Sequence, residues 1–223
     1  MEAIILAGGF GTRLKDVLKD RPKPMAIING TPFLEILIRK LKKSEIDRII
    51  LAVGYKSEVI MSHFKNSFEG IEIVYSVEDE PLGTGGAIKK AANLCQSTDI
   101  IVLNGDTYFD CDLVEMNKIY TKSNCDITLA LKRVQNNVRY GTVKIHQNKI
   151  IDFNEKKYQS EGFINAGTYV INKNVFSSIE LNVFSFEKTI LESKVFSMCA
   201  YKSEGFFIDI GIPEDYMRAQ DVL

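Results

Sequence analysis

The chain predicts an α/β fold: an open, mostly parallel mixed sheet flanked by helices, with an antiparallel part in the second half. Three observations carry this expectation. Short apolar runs alternate with helix-period segments up to about residue 104. From about residue 125 strand-like runs follow one another through short polar links. No proline- or serine-rich linker and no internal repeat breaks the 223 residues. A single domain is therefore expected, with one lobe over about 1–124 and a second over about 125–223.

The elements follow in order. Ala3 to Ala7 reads as a strand running into a glycine turn, and Phe33 to Leu41 as a helix opened by Pro32. Arg48 to Val53 is a strand, Glu58 to Phe64 a helix, and Ile71 to Val77 a strand. Gly86 to Leu94 is helical and Ile100 to Leu103 a buried strand. In the second half, Ile127 to Leu131, Thr142 to Ile145, Ile150 to Phe153 and Phe163 to Ile171 read as strands. A helix over Val183 to Leu191, strands at Val195 to Tyr201 and Phe206 to Ile208, and a helix after Pro213 complete the chain.

Composition narrows the function classes. With 45% hydrophobic and 26% charged residues the chain suits a soluble globular protein that needs no disulfide or metal staple. No apolar run reaches the length of a membrane span, and Met1-Glu2-Ala3-Ile4-Ile5-Leu6 has no basic leader region. No membrane partner and a cytoplasmic location are expected. Cys95, Cys111, Cys125 and Cys199 are scattered, which fits isolated buried thiols in a reducing compartment rather than zinc or dithiol chemistry. The net charge of −1 argues against a nucleic-acid partner. His63 and His146 stand apart from every motif and read as structural or surface residues.

Positive charge is nonetheless concentrated after the first strand, at Arg13, Lys15, Lys19, Arg21 and Lys23. It follows Leu6-Ala7-Gly8-Gly9-Phe10-Gly11-Thr12-Arg13-Leu14, where glycines let backbone N–H groups approach phosphate or base. Leu14 stands where a dinucleotide fingerprint needs its third glycine, and no Gly-Lys-Ser/Thr follows, so neither common phosphate loop is present. Arg13 supplies a fork suited to phosphate, and Pro22 and Pro24 restrict the backbone around Lys23. Asp106 in Leu103-Asn104-Gly105-Asp106 falls at the carboxyl end of a strand, where open sheets bind ligands and where a carboxylate suits Mg²⁺.

Gly-Gly-x-Gly-Thr-Arg-Leu followed by Pro-Lys-Pro-Met resembles the signature of the sugar-1-phosphate nucleotidyltransferases, and the likeness extends from Met1 to about Tyr216. It implies a Rossmann-like fold of the nucleotide-diphospho-sugar transferase type. The implied nucleotide site is Leu6, Ala7, Gly8, Gly9, Gly11, Thr12 and Arg13, with Glu80, Gly83 and Thr84 of Glu80-Pro81-Leu82-Gly83-Thr84-Gly85-Gly86 on the base side. Arg13, Lys23 and Asp106 become the catalytic candidates. Asp209, in a segment similar to the family's Asp-Ile-Gly-x-Pro-Glu-Asp-Tyr ending, joins Asp106 as an Mg²⁺ ligand. Glu214 and Asp215 read as acidic residues opening a helix. Gly141, Glu155, Lys156, Asn165 and Gly167 match the sugar-phosphate segments, although Lys157 replaces a common proline. Within the family the chain is most similar to the short D-glycero-D-manno-heptose 1-phosphate guanylyltransferases of capsule or related polysaccharide supply. The implied substrates are GTP and that sugar phosphate, and a homodimer is left open. Mannose-1-phosphate guanylyltransferase, N-acetylmuramate-1-phosphate uridylyltransferase and a non-catalytic nucleotide-sugar sensor remain as alternatives.

Overall fold

The computed structural model describes residues 1–14, 18, 21–137, 139–154 and 159–223. Strand β1 (Glu2–Leu6) is followed by a hairpin of β2 (Ile27–Ile28) and β3 (Thr31–Pro32), then by helix α1 (Phe33–Lys42). Next come β4 (Arg48–Val53), α2 (Ser57–Phe64), β5 (Ser67–Phe68), β6 (Ile71–Val77) and α3 (Gly83–Ala92). β7 (Asp99–Asn104), β8 (Thr107–Phe109) and α4 (Leu113–Ser123) lead into β9 (Ile127–Asn137), β10 (Thr142–His146), β11 (Lys149–Asn154) and β12 (Gln159–Asn172). β13 (Met198–Ser203), β14 (Phe207–Asp209) and α5 (Pro213–Val222) close the fold.

Ten strands form one mixed sheet in the order β10-β11-β13-β9-β12-β7-β1-β4-β6-β5. The β7-β1-β4-β6 stretch is parallel, while β12 runs antiparallel to both β7 and β9. β10 also pairs with the first part of β12, folding the antiparallel edge back on itself. Both faces of β1 are covered: Ala3 and Ile5 enter one hydrophobic cluster with α1 and α4, and Ile4 enters the other with α3 and Phe186. Alternating residues serving two cores explain why the central strands read as unbroken apolar runs. Among the described residues no helix is long and apolar enough to cross a membrane.

Four expectations need correction. Helix α4 was not anticipated, although Asp112 caps it by accepting a 2.9 Å bond from the Glu115 N–H. The expected helix from Val183 begins only near Glu187, because the chain at Phe184 runs along the start of α3, accepting from Gly85 N at 2.9 Å and donating to Leu82 O at 3.0 Å. The strand expected from Val195 starts at Met198, where pairing with β9 starts. Cys125 and Cys199 are joined in a disulfide rather than isolated; parallel pairing sets Met198 opposite Ile127 and so brings together two thiols 74 residues apart in sequence. Cys95 and Cys111 are free and buried.

Candidate active site

A cleft of about 470 Å³ opens at the carboxyl ends of β1, β6 and β7, the ligand-binding edge of an open α/β sheet. Leu6, Gly8, Gly9, Lys23, Glu80, Gly83, Thr84 and Asp106 line it, uniting residues from four separate segments. Glu155 and Lys156 lie outside the described residues.

The glycine turn is shaped by its neighbours. Ala7 is buried beneath the cleft floor and its N–H donates to Ala52 O at 2.7 Å, so it supports the turn rather than facing the cavity. Gly11 has φ +62°, and a Cβ there would lie 2.9 Å from Lys23 Cβ. The turn and the lysine therefore pack as one unit. Thr12–Leu14 form a short 3₁₀ turn that leaves Arg13 exposed and outside the cleft lining.

Lys23 follows extended Pro22 and opens a second 3₁₀ turn, Lys23–Met25. Its side chain is only 13% exposed, and Nζ forms an ion pair with Asp106 Oδ2. Gly105 N donates to Leu6 O at 3.0 Å, and a Cβ on Gly105 would lie 2.3 Å from that oxygen. Only glycine lets the turn carrying Asp106 cross the end of β1 this closely.

Asp209 reaches the same point from the far end of the chain. β14 pairs antiparallel with β8, setting Asp209 opposite Thr107, and Ile210 N donates to Asp106 O at 2.9 Å. Burial raises the Asp209 carboxyl above its usual range, and the charge of Asp106 adds to this. Lys23, the Gly211 N–H at 2.7 Å and Arg139 act against the rise. Among the described residues no group of three or more His, Cys, Asp or Glu gathers around one point. Two close carboxylates are nonetheless a donor set suited to Mg²⁺, which takes one or two carboxylates and completes its shell with phosphate oxygens and water.

α5 locks this arrangement from behind. Tyr216 OH and Gln220 Nε2 donate to Ile27 O at 2.9 and 2.8 Å, and Asn29 N donates to Gln220 Oε1 at 3.0 Å. The helix after Asp209 thus grips the hairpin after Lys23.

On the opposite wall the glycines of α3 have a structural cause. Gly83 has φ +71°, and a Cβ on Gly86 would lie 2.1 Å from Asn182 O. The Thr84 hydroxyl donates to Glu187 Oε2 at 2.8 Å and accepts from Phe186 N at 2.9 Å. Gly83 and Thr84 border the cleft, but segment 182–187 fixes their identity.

Glu78 was not singled out by the sequence. It is half-buried on the cleft wall beside Gly8, accepts from Leu82 N at 3.1 Å, and is raised above the usual carboxylate range by burial. Glu80 on the rim is exposed. The position just past a parallel strand, which pointed to Asp106, also marks Glu78. The folded chain holds the Glu78 proton to higher pH than the unfolded chain, so its destabilisation is complete above the folded value and absent below the ordinary one. Glu78→Gln is therefore expected to raise Tm at pH 8, with the gain disappearing by pH 4; thermal melts across that range check it.

On the sugar side, Asn165 Oδ1 accepts from Gly167 N at 3.0 Å and its Nδ2 donates to Tyr169 OH at 2.8 Å. Gly167 has φ +67°, and a Cβ there would lie 2.5 Å from Asn104 Nδ2. Asn104 lines the cleft, so Asn165 and Gly167 reach it through that residue. Gly141 is half-buried at the start of β10, away from the cleft lining. Just before it, Arg139 lies between Asp209 and Asp215, neither contact being foreseen from the sequence.

A family model described as nucleotidyl transferase matches residues 2–223. A D-glycero-alpha-D-manno-heptose 1-phosphate guanylyltransferase of Campylobacter jejuni is 49% identical, covering 97% of this chain and 97% of its own. One from Aneurinibacillus thermoaerophilus is 47% identical over 100% of this chain and 98% of its own. Among solved structures, HddC from Yersinia pseudotuberculosis complexed with GMP-PN superposes with a TM-score of 0.88 at 38% identity, covering 99% of this chain and 98% of that one.

Proposed function

The chain belongs to the nucleotidyl transferase family, and we propose that it joins GTP to D-glycero-D-manno-heptose 1-phosphate, giving GDP-heptose and pyrophosphate. The observation that carries this reading is the meeting of Lys23, Asp106 and Asp209 at a cleft of about 470 Å³ that Gly8, Gly9, Lys23 and Asp106 line. The names of the relatives at 47% and 49% identity support heptose and guanine as the specific pair. Guanine presents adjacent N–H donors on one edge, and the Glu78 carboxyl offers an acceptor on the cleft wall that suits them.

A sugar phosphate is largely a dianion at neutral pH, its second pKa being about 6. Its oxygen needs no general base to attack the α-phosphorus. The new P–O bond forms as the bond from the α-phosphorus to the bridging oxygen breaks, and that oxygen leaves on pyrophosphate. The protein's work is to align two anions and offset the charge that gathers. Backbone N–H groups at Gly8 and Gly9 receive the triphosphate, and Lys23 places a desolvated cation at the reacting phosphate. Arg13, exposed on its turn, closes on the outer phosphates, and Lys156 with Glu155 holds the sugar phosphate. Asp106 and Asp209 would hold a divalent cation such as Mg²⁺, which when bound would polarise the α-phosphate and screen the approaching charge. We place the reaction in the cytoplasm.

The test is a matrix of four nucleoside triphosphates against several sugar 1-phosphates with pyrophosphate release as readout. GTP with heptose 1-phosphate is expected to give the highest kcat/KM. A higher value for mannose 1-phosphate, or for UTP with N-acetylmuramate 1-phosphate, overturns the substrate assignment. Nucleotide-sugar binding without pyrophosphate release overturns the enzyme reading.

A further inference from the structure

Phe10 stands in the middle of the glycine turn but takes no part in the chemistry above. Its ring is 56% exposed, although burying it elsewhere would remove more apolar surface from water. It lines the cleft together with Tyr55, and among the described residues these two are the only aromatic rings along that lining. The ring is held from one side. Its centroid lies 5.4 Å from that of Tyr55 with the planes tilted by 41°, a spacing at which aromatic pairs attract. Tyr55 is backed in turn by Lys56, whose Nζ lies 5.6 Å from the Tyr55 centroid. The Tyr55 N–H donates to Gly8 O at 3.4 Å. A Cβ on Gly54, the residue before it, would lie 3.6 Å from Glu78 Cβ. The aromatic pair therefore stands at the end of the cleft where Glu78 faces Gly8, the end that receives the base.

We propose that Phe10 is a binding residue for the nucleobase, its exposed ring stacking on the flat face of guanine, and that Tyr55 is the positioning residue that holds this ring in place. The proposal rests on the reading of the cleft as a nucleotide site. Stacking and edge recognition divide the work. Every base has a π-face, so a stacked ring adds affinity with little regard to which base is bound. Selectivity stays with hydrogen-bonding groups on the edge, such as Glu78. Covering the base also takes the Phe10 ring out of water, which accounts for an apolar side chain left exposed on a turn that otherwise consists of small and polar residues.

The chain contains no tryptophan, so Phe10→Trp places a single reporter at this position in the full-length protein. GTP without sugar phosphate is expected to quench its emission by stacking on the indole, whereas inorganic tripolyphosphate, which has no base, is expected to leave it unchanged. Calorimetric titration gives the second measurement. Phe10→Ala is expected to raise the GTP Kd about tenfold, within the range for removing an aromatic ring from under a stacked base. ITP, which lacks the exocyclic amine of guanine, is expected to lose the same factor, because a ring face does not read the edge. Phe10→Tyr keeps a flat ring and is expected to bind GTP within about twofold of the parent. Phe10→Ala/Tyr55→Ala is expected to fall within about threefold of Phe10→Ala, since Tyr55 acts through the ring it supports. The proposal is overturned if GTP leaves the emission of Phe10→Trp unchanged, if tripolyphosphate quenches it as strongly, if Phe10→Ala binds GTP like the parent, or if GTP and ITP lose different factors. Binding by Phe10→Tyr as weak as that of Phe10→Ala also overturns it, and multiplied losses in the double variant overturn the role given to Tyr55. No binding of any nucleoside triphosphate by the parent overturns the nucleotide reading itself, whereas binding by the parent that Phe10→Ala leaves intact overturns the stacking alone.

Discussion

Lys23→Ala is expected to lower kcat by about 100- to 1,000-fold, the scale seen when one preorganised group facing developing charge is removed. The lysine is mostly buried and paired with Asp106, and it is one of the influences that hold down the carboxyl of Asp209. Alanine leaves two neighbouring carboxylates with less to offset them and withdraws the cation from the reacting phosphate. Because the stem of Lys23 also packs against Gly11, some weakening of triphosphate binding is expected alongside. Steady-state kinetics with saturating GTP and Mg²⁺ give the answer. Turnover equal to the parent's would remove Lys23 from the chemistry.

Asp106→Asn is expected to cause a loss of similar size, about 100-fold or more in kcat, that added Mg²⁺ does not restore. The amide nearly preserves the shape of the carboxylate and still accepts from Lys23, so the fold should persist. What disappears is the charge. Asp209 is then relieved of the like charge that adds to its burial, but a single carboxylate is left for the cation. Combining the two substitutions discriminates further. Groups that act as one unit lose little more together than singly, so Lys23→Ala/Asp106→Asn should fall within about threefold of the worse single variant. Multiplied losses would mean that the pair seen in the structure does not operate as a pair during turnover.

Much of this was legible in the sequence where local chemistry has few solutions. Gly8, Gly9 and Lys23 were singled out because a glycine turn and a proline-flanked lysine admit few roles, and Asp106 because it ends a parallel strand; the fold sets all four along one cleft. The same rule applies to Glu78, but it sits in the acidic run Glu78-Asp79-Glu80, and only the fold shows which carboxylate is half-buried. The glycines of Leu82-Gly83-Thr84-Gly85-Gly86 show the opposite limit. Their sequence suggests a ligand, whereas much of their necessity comes from a chain segment 100 residues away crossing the start of α3. The disulfide and the contact of Arg139 with Asp215 escaped for a related reason. Spacing in sequence carries no information about strands or turns that meet only in the finished sheet.

The grip of α5 on the β2–β3 hairpin bears on how this protein comes to life. Tyr216 and Gln220 close contacts across 189 and 193 residues, among the longest the chain could make. Contacts of that separation form slowly, since the intervening loop entropy must be overcome before they reward the chain. On the ribosome the parallel strands from β1 to β7 emerge first and are free to collapse, carrying Lys23 and Asp106 with them. Asp209 and the helix that locks it follow only after β9 to β13. A nascent chain therefore carries Lys23 and Asp106 well before Asp209 can join them.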